Sequence, residues 1–241
     1  MKSRGNLIII LLTVLFLAIP PCQAAIEFDG VDDYLITENT NWQFTGDFTI
    51  SYWIKFDTYN SYQNPLSTSN TGSAGTGFWN EFGSIRGFTM YSAGTLLVLQ
   101  DNIVNLDSLA TGTWYHIVIV REGVGANNVR GYIDNTLFGQ NTFPGTVGST
   151  VDPLFFGKYA RTVTLWPLDG SMDDTRIYNR AVSIAEIEAL SSSRSKRPSG
   201  SLASGLIAHY EMDDKEIGAV AAQAQDDSGN QNHGEFIGFD N

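Results

Sequence analysis

The stretch that decides the fold class reads Phe48-Thr49-Ile50-Ser51-Tyr52-Trp53-Ile54-Lys55-Phe56. Large apolar residues alternate with mostly polar ones along it, so one face of an extended strand would be apolar. Similar short stretches, bounded by Gly, Asn, Asp, Ser and Thr, recur along the chain, which is typical of a sandwich or barrel. We predict further strands at 34–36, 87–91, 95–99, 114–121, 129–133, 153–157, 171–178 and 205–213.

Two local signals indicate a turn and a helix. Asp134-Asn135 predicts a hairpin turn, because Asn tolerates the positive φ that such turns require. Ser183 followed by Glu186 is a capping-box pattern, which marks the start of a helix. That helix would share one apolar face, formed by Ile184, Ile187 and Leu190. The fold prediction is therefore all-β, an antiparallel two-sheet β-sandwich with one short helix at 183–190.

The first 24 residues predict export. A cationic start at 1–4, an apolar run at 7–19 broken only by Thr13, and small residues before position 25 match a secretory signal cleaved after Ala24. The run is short for a bilayer span. Lipidation of Cys22 is the alternative, but Pro21 stands where such processing prefers a small flexible residue. We expect a secreted, periplasmic or cell-surface location, with no transmembrane segment after signal removal.

The charge balance narrows the class of partner. The chain has 14 Lys and Arg against 26 Asp and Glu, a formal net charge of −12. This acidity argues against nucleic acid or an anionic membrane as partner, and it leaves carboxylates for divalent cations. The single cysteine, Cys22, departs with the signal, so the mature chain has neither a disulfide nor thiol chemistry.

Three stretches together resemble the LamG-like, concanavalin A-like lectin/glucanase jelly-roll family. They are FDGVDDY at 28–34, FTGDFTISYWI at 44–54 and LDGSMDDTRIYNRA at 168–181, with Trp114-Tyr115-His116 in the expected place between them. The resemblance covers nearly all of 25–190 and implies a LamG-like β-sandwich over those residues. The stretch 191–204 that follows is polar and is interpreted as an exposed linker.

The C-terminal part departs from the family order. Domains that resemble this one usually begin with a strand like 205–212 and a loop like 228–234, whereas here these pieces come last. Either 205–241 folds back as a permuted strand beside the first strand, or it is the truncated start of a second repeat. Folding back is favoured, because a truncated repeat would leave Tyr210 and its apolar neighbours without a core.

Calcium is the predicted cofactor, with a structural role. Asp29 and Asp32 lie in one loop, and in the resembling domains the strand that contains Asp173 runs close to that loop. Calcium prefers several oxygen ligands, so the predicted metal ligands are Asp173, Asp29 and Asp32. The alternative is that these aspartates accept hydrogen bonds from local amides. A C-terminal segment that folds back could add Asp213 and Asn230.

Four aromatic residues are candidates for ligand binding: Trp79, Tyr91, Tyr159 and Trp166. They lie in or beside polar loops, where exposed rings could stack on sugar faces and amides could bind hydroxyl groups. The alternative is that these rings cap the ends of the core. Trp53 and Trp114 are assigned to the core.

Catalytic signatures are weak. Residues 211–216 superficially resemble the Glu-x-Asp-x-x-Glu strand of glycosidases, which needs paired carboxylates on one strand face. However, Asp214 and Lys215 stand where that motif favours apolar packing. The three histidines, His116, His209 and His233, lack metal-protease spacing, and neither a nucleophile elbow nor a phosphate loop occurs.

The functional prediction is an exported, non-catalytic binding module, for carbohydrate binding or adhesion, with a glycan or an extracellular protein as partner. A glycoside hydrolase or polysaccharide lyase on the same fold is one alternative. A protein-binding cell-surface domain is the other, and a large exposed apolar patch would favour it. The sequence leaves the ligand and the oligomeric state open.

Overall fold

The chain is described here by a computed structural model. It describes residues 25–40, 42, 44, 46–58, 63–68, 76–80, 88–92, 95–99, 109–143, 153–160, 166–194, 196–213 and 223–239, with backbone only at 76–80, 88–92 and 95–99. The predicted signal at 1–24 lies outside these residues. In the described ranges, no helix has the length and apolar character needed to cross a bilayer.

The described residues form short strands and one α-helix, α1, at Ile184–Ser192, followed by a 3₁₀ turn at Gly200–Ala203. The strands are β1 Ile26–Asp29, β2 Tyr34–Thr37, β3 Phe48–Phe56, β4 Leu66–Thr68, β5 Thr76–Asn80, β6 Phe88–Ser92, β7 Thr95–Leu99, β8 Trp114–Arg121, β9 Val129–Ile133, β10 Thr136–Asn141, β11 Leu154–Phe156, β12 Asp169–Tyr178, β13 Leu206–Tyr210, β14 Gln223–Ala224 and β15 Gly234–Ile237.

The strands build two antiparallel sheets. Sheet A has the order β1-β12-β3-β8-β9-β10, with β13 also paired to β12, and sheet B has the order β14-β15-β2-β11-β4-β5-β6-β7. The prediction of an antiparallel two-sheet sandwich with one short helix is confirmed. The predicted hairpin turn joins β9 to β10, and both Asp134 and Asn135 have positive φ.

The core lies between the two sheets and follows from the alternation in β3. Every second residue of β3 from Phe48 to Phe56 is apolar and completely buried, and these residues pack in one cluster with residues of sheet B such as Leu35, Leu66 and Phe156. Burial of large side chains like these supplies the main driving force for folding. The alternation read from the sequence therefore identifies the inner face of β3.

Helix α1 covers part of the outer face of sheet A. Ile187 and Leu190 pack on Val118 and Val120. The capping box forms as predicted: Ser183 Oγ accepts from the Glu186 backbone N–H, and the Glu186 carboxylate accepts from Ser183 N. Ile184, the third apolar residue of the helix, is 56% exposed and does not join the buried contact.

The C-terminal segment contributes strands to both sheets. Because β3 occupies one edge of β12 along 170–178, β1 and β13 share the other edge, β1 beside 169–172 and β13 beside 175–178. In sheet B, β15 pairs with β2. Tyr210 of β13 is buried and makes an edge-to-face contact with Phe156 of β11, with ring centroids 5.2 Å apart. The segment therefore packs in the same core as 25–190.

The polar stretch after α1, which was predicted to be an exposed linker, contacts sheet A through Arg194, while Lys196 and Arg197 are exposed. Arg194 pairs with the buried Asp173 and lies over the rings of Trp114 and Trp53, 3.9 and 5.2 Å from their centroids. Trp53 also stacks on His116. The assignment of Trp53 and Trp114 to the core is wrong, because their strand positions point to the outer face of sheet A, away from the core cluster.

Candidate functional site

The outer face of sheet B carries the candidate site. Leu35 of β2 and both Leu154 and Phe156 of β11 face the core, so the alternating residues Tyr34 and Phe155 face outward. Both are half-buried, and their ring centroids are 6.2 Å apart. Two aromatic rings on adjacent strands form an amphipathic surface of the kind that sugars stack on.

A lysine lies over these two rings. The 158–160 segment crosses the outer side of β4, where Ser67 Oγ donates to Lys158 O and accepts from Ala160 N. The Lys158 ammonium lies 3.4 Å from the ring centroid of Tyr34 and 4.9 Å from that of Phe155. We call Tyr34, Phe155 and Lys158 the aromatic–lysine cluster.

The register of sheet B places two of the predicted ligand-binding residues on this same face. Phe155 pairs with Ser67, and Ser67 pairs with Trp79, two strands away from β11. Trp79 pairs with Thr89, and Tyr91 lies two residues further along β6. Because neighbouring strands are about 4.8 Å apart, positions from Tyr34 to Tyr91 span roughly 20 Å of this face. Trp79 and Tyr91 are strand residues and not loop residues.

The other two predicted ligand-binding residues pack against each other. Tyr159 is only 7% exposed, and its ring centroid lies 4.8 Å from that of the half-buried Trp166. A ring buried in this way offers no free face to a sugar. Tyr159 therefore supports the 158–160 segment and lies outside the candidate site.

The acidic loop between β1 and β2 brings three carboxylates together. Oxygen atoms of Asp29, Asp32 and Asp33 lie within 4.8 Å of one another. Asp29 Oδ1 accepts from the backbone N–H groups of Val31 and Asp32, and Asp33 Oδ2 accepts from Asp29 N. The C-terminal segment closes over the loop at Gly238, where a Cβ would lie 2.4 Å from Asp32 O. Hard oxygen donors at this spacing suit calcium.

Asp173 does not join that loop. Asp29 pairs with Asp169, and Asp173 lies four residues further along β12, about 13 Å of strand. Its carboxylate is completely buried and accepts from Arg194 Nε. Burial raises the pKa of Asp173 to about 7, against the opposing effect of Arg194. The predicted set of Asp173 with Asp29 and Asp32 is therefore not assembled.

The two residues expected to join through folding back also lie elsewhere. The Asn230 side chain donates to the carbonyls of Leu206 and Ile207, which holds β13 to its loop. Asp213 follows β13, the strand that pairs with β12 beside 175–178, and its charge contributes to the raised pKa of Asp173. Glu211 and Asp213 both follow the end of β13, and Met212 between them has a φ of 56°. They do not share a strand face, which the glycosidase motif requires.

The histidines serve packing and hydrogen bonding. His116 Nε2 is hydrogen bonded to Ser51 Oγ, and burial lowers the pKa of His116 to about 4. His209 Nε2 lies 2.8 Å from Asp174 Oδ1. His233 Nδ1 accepts from Asp226 N. Each ring is thus engaged within its own sheet or loop.

The fold agrees with a comparison of the sequence against known protein families. Residues 29–188 match the sequence profile of the Concanavalin A-like lectin/glucanases superfamily (Laminin_G_3), which is more than half of the chain. The chain belongs to this superfamily. The resemblance read from the three motifs is confirmed. A comparison of this chain with curated protein sequences found no match.

Several solved structures share the sandwich. A candidate carbohydrate-binding protein from Bacteroides ovatus has a TM-score of 0.60 at 13% identity, covering 88% of this chain and 59% of that one. A heptameric SAP-like pentraxin from Limulus polyphemus has a TM-score of 0.53 at 16% identity, covering 74% and 86%. Domains LG4-5 of the mouse laminin alpha1 chain have a TM-score of 0.52 at 12% identity, covering 68% and 43%.

These similarities establish that this protein and the three solved structures share a fold. The chain spans only 59% of the Bacteroides protein and 43% of the laminin fragment, so their whole-chain activities do not transfer to it. At identities of 12 to 16%, the function has to be argued from the residues of the site itself.

Sequence reasoning missed the aromatic–lysine cluster, although a signal for it was present. Leu154-Phe155-Phe156 is a run of three large apolar residues in a strand, and alternation sends the middle one to the opposite face. Tyr34 likewise alternates with the buried Leu35. An outward aromatic residue on each of two strands was therefore readable, but the adjacency of these strands was not.

Proposed function

We propose that this protein is an exported, non-catalytic carbohydrate-binding module stabilised by a calcium ion in the acidic loop. The observation that carries the proposal is the outward pair of rings at Tyr34 and Phe155. The same face also holds the positions of Trp79 and Tyr91. Membership of a superfamily with lectins and glucanases, and the shared fold with a candidate carbohydrate-binding protein, support it.

The non-catalytic part of the proposal rests on the chemistry of the face. Hydrolysis of a glycosidic bond uses two carboxyl groups that flank the bond. The row of paired residues through Phe155 has eight positions, from Gln223 of β14 to Val98 of β7, and Glu235 is its single carboxylate. Rings, hydroxyl groups and one amine can bind a sugar without breaking a bond.

Removing either outward ring should weaken glycan binding. For Tyr34→Ala and Phe155→Ala we expect about a fivefold to tenfold loss of affinity each, because a lost ring contact costs on the order of 1 kcal/mol. A glycan array identifies the ligand, and isothermal titration calorimetry measures its affinity. Trp114→Ala removes an outward ring from the opposite sheet and should leave the affinity unchanged. Unchanged affinity in both test variants would locate the sugar elsewhere.

The calcium part of the proposal uses the acidic loop. Asp29, Asp32 and Asp33 supply carboxylate oxygens, and Asp33 is buried while Asp29 and Asp32 are exposed. Asp169 pairs with Asp29, and its side chain approaches Gly30, where a Cβ would lie 2.8 Å from Asp169 Cβ. A bound calcium ion would neutralise these clustered negative charges and join β1 to β12.

Calcium should therefore raise the unfolding midpoint relative to EDTA. At a calcium concentration of one hundred times Kd, the expected gain is about 2.7 kcal/mol. The double variant Asp29→Asn/Asp32→Asn keeps the Asp29 Oδ1 acceptor but removes two charges, and it should abolish the shift in thermal unfolding. Asp173→Asn is the matched control and should keep the shift. A shift that survives in the double variant, or no shift in the unmutated protein, would refute this site.

A further inference from the structure

The aromatic–lysine cluster contains a cation that lacks a charge partner among the described residues. Three cations of the described ranges are buried: Arg121, Arg176 and Lys158. Arg176 pairs with Asp174 at 2.8 Å, and Arg121 lies 4.0 Å from Asp47 and donates to Gly46 O. Lys158 is 9% exposed, and no described carboxylate lies within 4.0 Å of its ammonium.

Partial burial of a cation without an anion beside it is unfavourable. An ammonium that loses part of its hydration shell loses hydration free energy that an anion or several hydrogen bonds normally offset. Burial lowers the pKa of Lys158, and no opposing electrostatic cause raises it. The rings of Tyr34 and Phe155 provide a cation–π interaction, which offsets only part of such a cost.

An ammonium without a charge partner, beside two outward rings, is suited to bind an anionic group on a ligand that also contacts the rings. A carboxylate would accept a charge-assisted hydrogen bond from Lys158 Nζ, while the rest of its molecule lies against the outward rings. The protein as a whole has a net charge of −12, so a general attraction to anions is absent and recognition would have to be local. A sugar that carries a carboxylate group meets both requirements.

We infer that the aromatic–lysine cluster is a subsite for a carboxylate-bearing sugar, a uronic or sialic acid residue, whose carboxylate pairs with Lys158 Nζ. The inference rests on the proposed glycan-binding function and specifies the ligand class of the same face. Tyr34 and Phe155 contact the sugar ring, and Lys158 selects the acidic residue over its neutral counterpart.

The test uses pairs of oligosaccharides that differ in the acidic group. Trigalacturonate and α2,3-sialyllactose are each compared with their own methyl ester, on a glycan array and by calorimetry with the full exported chain. At least one acidic member should bind about tenfold or more tightly than its neutral partner. Lys158→Met should remove that preference, because it lowers the affinity for the acidic partner more than the affinity for the neutral one. Lys55→Met makes the same charge change on sheet A, where Lys55 pairs with Asp57, and should retain the preference.

Each outcome is decisive. Equal binding of acidic and neutral partners, or a preference that survives in Lys158→Met, overturns the acidic-sugar inference and leaves the carbohydrate-binding proposal standing. The absence of binding to any glycan on the array overturns both. Esterification of the ligand needs no variant, so the comparison holds even if Lys158→Met fails to fold.

Discussion

Replacement of Arg176 with methionine should lower the free energy of unfolding by about 3–5 kcal/mol, because it leaves a buried carboxylate without its cation. Arg176 is completely buried, and its Nε lies 2.8 Å from Asp174 Oδ1. Its two terminal nitrogens donate to Ser193 Oγ and to the carbonyls of Ser193 and Lys196. The variant would also release the stretch that follows α1 from sheet A. Urea denaturation measures the change.

Two further variants separate the charge effect from the loss of packing. Arg176→Met combined with Asp174→Asn should recover part of the stability, because no buried charge remains uncompensated and Asn tolerates the φ of 46° at this position. Arg197→Met removes an exposed cation and should stay within about 0.5 kcal/mol of the unmutated protein. An Arg176→Met loss no larger than that of Arg197→Met would contradict the interpretation of this network.

Replacement of Tyr210 with alanine should cost about 3–5 kcal/mol of stability, the usual cost of removing a buried aromatic side chain. The ring packs edge-to-face on Phe156 across the two sheets, and its hydroxyl donates to Asn232 O. The cavity would open between β13 and β11, so both sheets would lose a contact. Thermal or urea unfolding of the purified chain gives the value.

The Tyr210 prediction tests whether the C-terminal segment belongs to the core. Tyr210→Phe keeps the ring and should cost only about 1 kcal/mol, because it removes one hydrogen bond. Ile184→Ala truncates a 56% exposed side chain on α1 and should have little effect. If Tyr210→Ala were as mild as Ile184→Ala, the segment 205–241 would not contribute to the folding unit.

Local sequence signals predicted the long elements well. The predicted bounds of β8 and β9 coincide with the structure, and the inner face of β3 is the apolar one. The capping box at Ser183 forms because both of its partners lie within one helical turn. The short strands β1, β4 and β15 were not predicted, since strands of three or four residues are specified by their partners more than by their own composition.

The site was predicted in part. Asp29 and Asp32 lie together because they are three residues apart in one loop. Whether Asp173 joins them as a calcium ligand depends on which residues of β12 lie beside that loop. Register decides that distance, and a pattern of period two leaves it open. Lys158 was not predicted as a site residue for the same reason: its position over Tyr34 depends on the pairing of β11 with β2, which the alternation pattern does not specify.

By itself the sequence determined the β-sandwich class, the family, the acidic character and the capped helix, because each follows from composition or from residues within a few positions of one another. Only the tertiary structure decided which buried charges are paired, that the C-terminal strands complete both sheets, and that Tyr34, Phe155 and Lys158 meet. The pairing of β15 with β2 and the contacts of Tyr34 with Phe155 and Lys158 join residues more than a hundred positions apart, and the free energy that holds them is gained only when the sheets form and pack.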